Sequence, residues 1–461
     1  MSLPDETVSL RDIRKAGLCI GCGTCAGTAA LPGLSMAFDA YGQYKPQAVA
    51  RVERERSSRL AQTCPFSPSA QDEDELASVR FPQAPHRDTR LGRFEAAYVG
   101  AVAEPPFRQQ GSSGGMVTWV AAQLLQQGLV DGVAHVRPGE GGKYFTYSIS
   151  CDIESLYRGA KSRYYPVELS GVLEEIRTTP GRYAVVGIPC FIKAVHLARR
   201  QDPVLAERIT HTLGLFCGHM KSARLVESFA WQMDTTIEAV QRPEFRLKGP
   251  ERPANWYTAQ LTLKDSSVRQ KDWWHLGDGD WGAGFFQNSA CNFCDDVLAE
   301  TADISFGDAW VEPYSSDWRG TNVVVVRSPL LRDLVEQGMT LGQVEFKPVD
   351  ADYIANTQAA GFRQRREGLA YRLTWRRRGL KLRKRVAPSN QLPFQRKLIY
   401  RLRYGISAWS HRMFWLARRQ QAPAIYITWA HAALRFYHGL AYGRGRIGAI
   451  AKRLKLTRGD G

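Results

Sequence analysis

The sequence predicts a mixed α/β (α+β) protein in three parts: a cysteine-rich module over residues 1–80, an α/β core over 91–350 and a basic helical tail over 361–461. Three observations carry this reading. Short apolar runs alternate with helical stretches from about residue 95 onward, the pattern of strands feeding helices. Cysteines in C-x-x-C spacings precede and follow that alternation. Positive charge is confined to one end: residues 361–461 hold 25 Lys and Arg against 2 Asp and Glu, whereas the first 360 hold 37 against 43.

At 461 residues the chain has room for two or three domains, and its 44% hydrophobic content is ordinary for a globular protein. The opening Met1-Ser-Leu-Pro-Asp-Glu-Thr is polar and acidic, which argues against a signal peptide and for a cytoplasmic setting. No long uncharged apolar run precedes residue 420, so no membrane span is expected there.

In chain order, 81–90 reads as a linker. Ala96–Val102 reads as a strand, and Gly111-Ser-Ser-Gly-Gly115 as a turn into a helix from Met116 to Gln127 that stops at Gly128. Val130–Val136 and Tyr183–Ile188 are strand candidates, with a helix from Phe191 to Arg200 after the second. Ile209–Phe216 is a further apolar run, and Asn322–Arg327 is a buried strand candidate. The stretch 240–290, rich in Trp and charge, reads as less regular.

Cys19-Ile-Gly-Cys22-Gly-Thr-Cys25, with Cys64-Pro65 later, is the strongest local signal. Three thiolates two residues apart can wrap one corner of a 4Fe–4S cubane, a remote Cys-Pro can close it, and glycines between them allow the tight fold. The first 80 residues are therefore expected to form a ferredoxin-like 4Fe–4S module. Zinc prefers paired C-x-x-C units, so a triple suits it poorly. A disulfide framework belongs to small secreted domains, which this chain does not resemble. Cys291-Asn-Phe-Cys294 alone is ambiguous between zinc and iron–sulfur. Cys190 and Cys217 each end an apolar run. Cysteines at strand ends of an α/β sheet converge on one edge, although each taken singly could be a buried structural thiol. Cys151 reads as a half-buried free thiol.

Gly111-Ser-Ser-Gly-Gly-Met-Val-Thr118, Ala160-Lys-Ser-Arg-Tyr-Tyr165, Val186-Gly-Ile-Pro-Cys190, Gly214-Leu-Phe-Cys-Gly218, Cys291-Asn-Phe-Cys294 and Ala302-Asp-Ile-Ser-Phe-Gly-Asp308 occur in an order that resembles the coenzyme F-420 hydrogenase/dehydrogenase beta-subunit family over residues 15–330. The resemblance implies FAD and two 4Fe–4S clusters, with Cys190, Cys217, Cys291 and Cys294 ligating the second. It places the flavin near Ser112, Ser113, Gly114 and Gly115, where small residues at a helix N-terminus can admit a phosphate. Lys161, Ser162, Arg163 and Tyr164 form a second polar group. Lys161 and Arg163 would neutralise the pyrophosphate or lie at the flavin's N1–O2 edge, or simply be a solvated basic loop. Asp308 is a further site candidate, and His219 is the one histidine placed to approach the cluster or substrate. The chain departs from many relatives at Phe191, where a glutamine is usual, and in its long tail.

In the tail, Ile399, Leu402, Ile406, Trp409, Met413 and Leu416 recur at three and four residues among arginines. This is a basic amphipathic helix. It points to an anionic membrane surface and a peripheral location, with a helical hairpin packed on the body as the plainer alternative. No nucleic-acid recognition motif accompanies the charge, so nucleic acid is not the expected partner. The functional expectation is an oxidoreductase passing electrons from ferredoxin or a partner subunit, through both clusters and FAD, to an unidentified reducible substrate. The alternatives are an electron-transfer subunit without a substrate of its own, a reductase in surface-polysaccharide biosynthesis, and a redox-sensing binding protein.

Overall fold

A computed structural model describes residues 6–375, 380 and 382–453. Its centre is an eight-stranded mixed sheet. In chain order the strands are β1 (Ala96–Val102), β2 (Gly132–Pro138), β3 (Phe145–Ser150), β4 (Tyr183–Gly187), β5 (Ile209–Leu215), β6 (Ile304–Asp308), β7 (Asn322–Val326) and β8 (Val344–Pro348). Their spatial order is β8-β1-β7-β6-β5-β4-β2-β3. Strands β2, β4, β5 and β6 are mutually parallel. β1 joins that direction through two antiparallel steps across β7. β4 and β7 are buried at every position, which is why they read as continuous apolar runs rather than alternating ones.

Five helices matter below: α1 (Met116–Gln126), α2 (Pro189–Gln201), α3 (Ala359–Arg365), α4 (Phe394–Arg419) and α5 (Pro423–Tyr442). On one face of the sheet, Trp119, Val120 and Leu124 of α1 share a core with Val324 and Val326 of β7 and with Leu331, Leu334 and Val335. Another core joins the N-terminal residues Leu10, Ile13, Leu60 and Phe66 to Phe191 and Val195 of α2. The first 80 residues contain short helices and one hairpin, Ser35–Phe38 with Tyr44–Gln47.

Two stretches are more ordered than their sequence suggests. Within 81–94, His86–Asp88 pairs with Gly92–Phe94, and Leu91 and Phe94 are buried. Within 240–290, Val240–Leu247, Thr258–Leu263 and Val268–Asp272 make a three-stranded antiparallel sheet. Ala259, Leu261 and Leu263 are buried between partly exposed Thr258, Gln260 and Thr262, so the period of two was present but masked by the surrounding Trp and charge.

The tail folds back as a hairpin of α4 and α5. Ile399, Ile406, Phe414 and Tyr426 enter a core with Phe229, Phe245, Phe285 and Phe286. The apolar stripe expected to face a membrane is thus divided. Ile399 and Ile406 face the protein, while Trp409 and Leu416 are exposed at 51% and 36%. No helix among the described residues is long and apolar enough to cross a membrane.

Candidate functional site

The shared direction of β1, β4, β5 and β6 puts the chain segments that follow them at one sheet edge. These are the 103–115 loop, Pro189-Cys190, Phe216-Cys217 and the turn after Asp308. β7, running the other way, begins there at Asn322. Open α/β sheets bind ligands at this carboxyl edge.

The structure gathers the eight expected ligand cysteines into two quartets. Cys19, Cys22, Cys25 and Cys64 line one cavity with Leu10, Ile13, Met36 and Leu60. Gly21 and Gly23 adopt φ of 81° and 79°, and a Cβ on Gly23 would lie 3.0 Å from the amides of Leu169 and Ser170. Only glycine fits so close an approach in that conformation. Burial pushes the Cys22 thiol up to about 11. Burial also raises Cys25 and Cys64, each further disfavoured by its neighbouring thiols.

Cys190 sits in the first turn of α2, Cys217 two residues past β5, and Cys291 and Cys294 in and after the turn Ser289–Phe293. Burial raises Cys190, and Cys294, Cys217, Cys291 and Cys22 add to that rise. Burial pushes Cys217 up to about 12 and Cys294 to about 11, with the Arg365 guanidinium opposing both. The Met220 amide donates to Cys291 Sγ at 3.3 Å. Through Cys22 and Cys190 the two quartets are neighbours, and all of their cysteines except Cys217 lie in or against one core.

Among the described residues, no group of three or more His, Cys, Asp or Glu side chains is arranged to hold a single metal ion. The two quartets nonetheless bring four thiols each within electrostatic reach.

Arg365, at the end of α3, is one of the residues that sequence reasoning missed. Its side chain is buried, and Nη2 donates to the carbonyls of Cys217 and Gly218 at 2.8 and 2.9 Å. Its Nε and Nη1 are buried without a hydrogen-bond partner. Cys294, Cys217 and Cys291 hold the guanidinium charged against the cost of burial. Orphaned donors facing a thiol set fit a bound anionic cluster, whose sulfides accept hydrogen bonds. Lys384 approaches from the tail, 3.1 Å from Asp295 and above the Phe66 ring.

Beside the second quartet lies an aromatic wall. Trp281 stacks on His219 at 4.5 Å and meets Tyr164 at 4.8 Å. Tyr164 also contacts Trp273, Phe245 and Tyr257. Both ring nitrogens of His219 are buried without a partner, and burial keeps the ring neutral. Lys221 donates to the Phe285 carbonyl at 2.7 Å and lies 4.8 Å over Trp281. Burial brings its pKa down to about 7.

The two loops expected at a flavin meet here: the Ser162 amide donates to Ser112 Oγ at 2.8 Å. Part of the 111–115 turn is spent on the fold. Ser113 Oγ donates to the Thr321 carbonyl, and Asn322 Oδ1 accepts from the Met116 amide. A Cβ on Gly114 would sit 2.7 Å from Asn322 Oδ1 and 3.0 Å from the Gly100 carbonyl, so that glycine serves strand packing. Gly115 has φ of 87°. Lys161 pairs with Glu244 at 3.0 Å, and Arg163 donates to the Ala160 carbonyl while lying over Phe145. Asp308 holds Arg246 through two contacts of 3.0 and 3.3 Å, and Arg246 covers Tyr257 and Trp310. Lys248, unforeseen in the sequence, donates to the carbonyls of Arg108 and Ser113 at 2.6 and 2.8 Å. Lys161, Arg246, Lys248 and Arg108 thus gather at the turn. Three of them are paired with Glu244, Asp308 and Asp317, and Lys248 is the one of the four that, among the described residues, has no carboxylate partner within 4.0 Å and could meet a phosphate-bearing ligand. Cys151 is exposed and apart from both quartets.

Comparison with known proteins follows the same lines. A family model for the carboxyl-terminal part of the coenzyme F420 hydrogenase/dehydrogenase beta subunit matches residues 181–352, and the model for its amino-terminal part matches 97–174. The chain is 24% identical over 312 residues to a coenzyme F420-dependent sulfite reductase of Methanocaldococcus jannaschii, covering 65% of this chain and 43% of the relative. It is 26% identical over 222 residues to F420-dependent formate dehydrogenase 1 subunit beta of Methanococcus maripaludis, covering 46% of this chain and 52% of the relative. The chain spans about half the length of these curated relatives. A chain from the F420-reducing [NiFe] hydrogenase complex of Methanosarcina barkeri aligns with TM-score 0.49 and 17% identity, covering 64% of this chain and 98% of that one.

Proposed function

Because the chain belongs to the coenzyme F420 hydrogenase/dehydrogenase beta-subunit family, we propose that it is an iron–sulfur flavoprotein oxidoreductase. In this reading it takes electrons from ferredoxin or a partner subunit and delivers them to a reducible substrate. The observation that carries the reading is the adjacency of the two quartets through Cys22 and Cys190, with the second quartet beside the cationic, aromatic-walled edge.

Cys19, Cys22, Cys25 and Cys64 would hold one 4Fe–4S cluster, and Cys190, Cys217, Cys291 and Cys294 the other. The turn at Ser112–Gly115 with Lys161, Arg163, Arg246 and Lys248 would hold FAD. When bound, the clusters supply one-electron relays and the flavin exchanges single electrons for pairs. Arg365 offsets negative charge at the second quartet. Trp281 and Tyr164 keep water from the space beside it. His219, neutral and unpartnered, can hydrogen-bond a ligand at a ring nitrogen, and Lys221 can give or take a proton at Nζ near neutral pH.

The test is anaerobic purification followed by iron, acid-labile sulfide and flavin quantitation. About eight irons per chain and one flavin are expected; protein holding only zinc overturns the reading. A second reading, an electron-transfer subunit without its own substrate, is favoured by the relative named as a beta subunit. Turnover of coenzyme F420 or another small acceptor by the isolated chain separates the two.

A further inference from the structure

We propose that the outward face of α4 is a docking surface for an anionic phospholipid membrane, so that the protein lies on the lipid surface without spanning it. The helix uses both of its faces. Ile399, Ile406, Ser410, Phe414 and Ala417 are buried against the body. On the opposite side Arg401, Trp409, Arg412, Trp415, Leu416 and Arg419 are all exposed, and they fall within one arc of about 120° on a 3.6-residue helix. Phe394 begins the same face, 68% exposed.

The composition of this face selects its occupant. Arg412 lies 5.1 Å over Trp409, and Arg419 lies 5.4 Å over Trp415. Each guanidinium is therefore held beside an indole, with charge and apolar surface at one depth. Indoles favour the boundary between headgroups and acyl chains, and arginines the phosphates just above it. Between Glu367 and Asp460 the sequence contains no acidic residue at all. Acids that meet this helix do so away from that face: Glu227 pairs with Arg418 at its edge at 3.2 Å, and Glu367 pairs with Arg396 at 2.8 Å on the side turned to the body. Duplex nucleic acid would use the arginines but has no need of exposed Trp409, Trp415 and Leu416. No described helix is long and apolar enough to cross a bilayer, which leaves binding in the interfacial plane. The hairpin lies beyond both family matches, which end at residue 352. It is therefore an addition to the redox body, and the inference stands apart from the proposed chemistry.

Full-length protein is sedimented with vesicles of equimolar phosphatidylglycerol and phosphatidylcholine, and with phosphatidylcholine alone. Pelleting is expected with the anionic vesicles only, and salt should weaken it. Trp409→Glu with Trp415→Glu should lower partitioning on the order of tenfold while leaving thermal unfolding and iron content unchanged, since both side chains are exposed. Arg412→Gln with Arg419→Gln should abolish the preference for the anionic lipid. Equal pelleting with both vesicle types overturns the proposal. So does unchanged partitioning of the tryptophan double variant, or duplex DNA binding that exceeds vesicle binding and ignores the tryptophans.

Discussion

The two cysteine quartets differ in how they are assembled and in the charge around them. The first takes three of its cysteines from seven consecutive residues, Cys19 to Cys25, and has Glu168 as an acidic neighbour. The second draws on the ends of β4 and β5 and on a turn much later in the chain. Arg365, Lys384 and Arg403 bring positive charge to it, while Asp295 and Asp296 are acids beside it and Lys384 is paired with Asp295. Lys45 stands between them, donating to the Cys19 carbonyl while its charge reaches Cys291. A cation beside a cluster favours its reduced form and an anion disfavours it. Under the proposed reading, Glu168 at the first quartet and the buried Arg365 at the second would favour electron transfer from the first to the second.

The strongest way to break this comparison is to remove one quartet at a time. Cys22→Ser and Cys190→Ser should each cost about four of about eight irons, and Cys151→Ser none. Iron and sulfide assays on anaerobic protein read this directly. If Cys22→Ser also empties the second quartet, the two sites assemble as a unit and the contrast between them has no functional meaning.

Stability provides the next contrast, because the tail braces the second quartet. Arg385 meets Glu300 at 2.6 Å, and Lys384 meets Asp295 at 3.1 Å, next to Cys294 in sequence. Lys193 and Glu73 join the same buried network. Arg385→Ala strands carboxylates with almost no solvent access and should cost about 3–5 kcal/mol in denaturant unfolding. An equal loss from Arg14→Ala, at the exposed pair with Glu53 near the first quartet, would contradict the asymmetry, since exposed pairs contribute about 0–1 kcal/mol.

What the sequence disclosed follows the same division. Three cysteines of the first quartet are a local spacing, and their gathering with the remote Cys64 in one cavity was legible from that spacing and the Cys64-Pro65 pair. Cys190 and Cys217 were legible as strand ends, because a buried strand is an unbroken apolar run. Arg365 and Lys384 were not: a functional arginine inside Gly361-Phe-Arg-Gln-Arg-Arg366 looks like any other member of a basic segment. Only the fold shows which one points at the thiols. The tail stripe was legible as amphipathic, but a period of 3.6 residues does not say that two opposite faces are both in use. Lys248 and Arg246 escaped because they lie on and just after a strand hidden in the stretch that read as irregular.

A smaller effect sharpens the electrostatic claim. Arg365→Gln should lower the midpoint potential of the second cluster on the order of 100 mV without moving the first. Glu168→Gln should raise the first instead. Arg365→Lys, which keeps the charge, should restore most of the second potential, a result that a purely structural role for Arg365 does not give. Redox titration followed by electron paramagnetic resonance separates the two clusters. Equal shifts in both would mean the charges act on the whole core and not on one quartet.

The smallest expected effect concerns pH at the 111–115 turn. Burial, with Arg246 and Arg108 close by, brings Lys248 down to about 7. A lysine with a lowered folded pKa is charged below that value and neutral above it. Its attraction for a phosphate is therefore present in acid and lost as pH rises through about 7, or somewhat higher once a bound anion stabilises the ammonium. In the ligand-free protein the unfolded chain binds the extra proton between about 7 and the usual lysine value, so stability there increases with pH. The two consequences run in opposite directions. Flavin affinity, measured by fluorescence on release, should fall several-fold from pH 6 to pH 9, within the roughly tenfold range of a partly screened pair. The thermal midpoint of the flavin-free protein should rise over the same interval. Lys248→Met should flatten both curves, and Lys248→Arg should flatten the first while keeping affinity high. A flavin affinity that falls with pH just as steeply in Lys248→Met would assign the proton to another group, with Lys221 beside Trp281, also near 7, the next to replace.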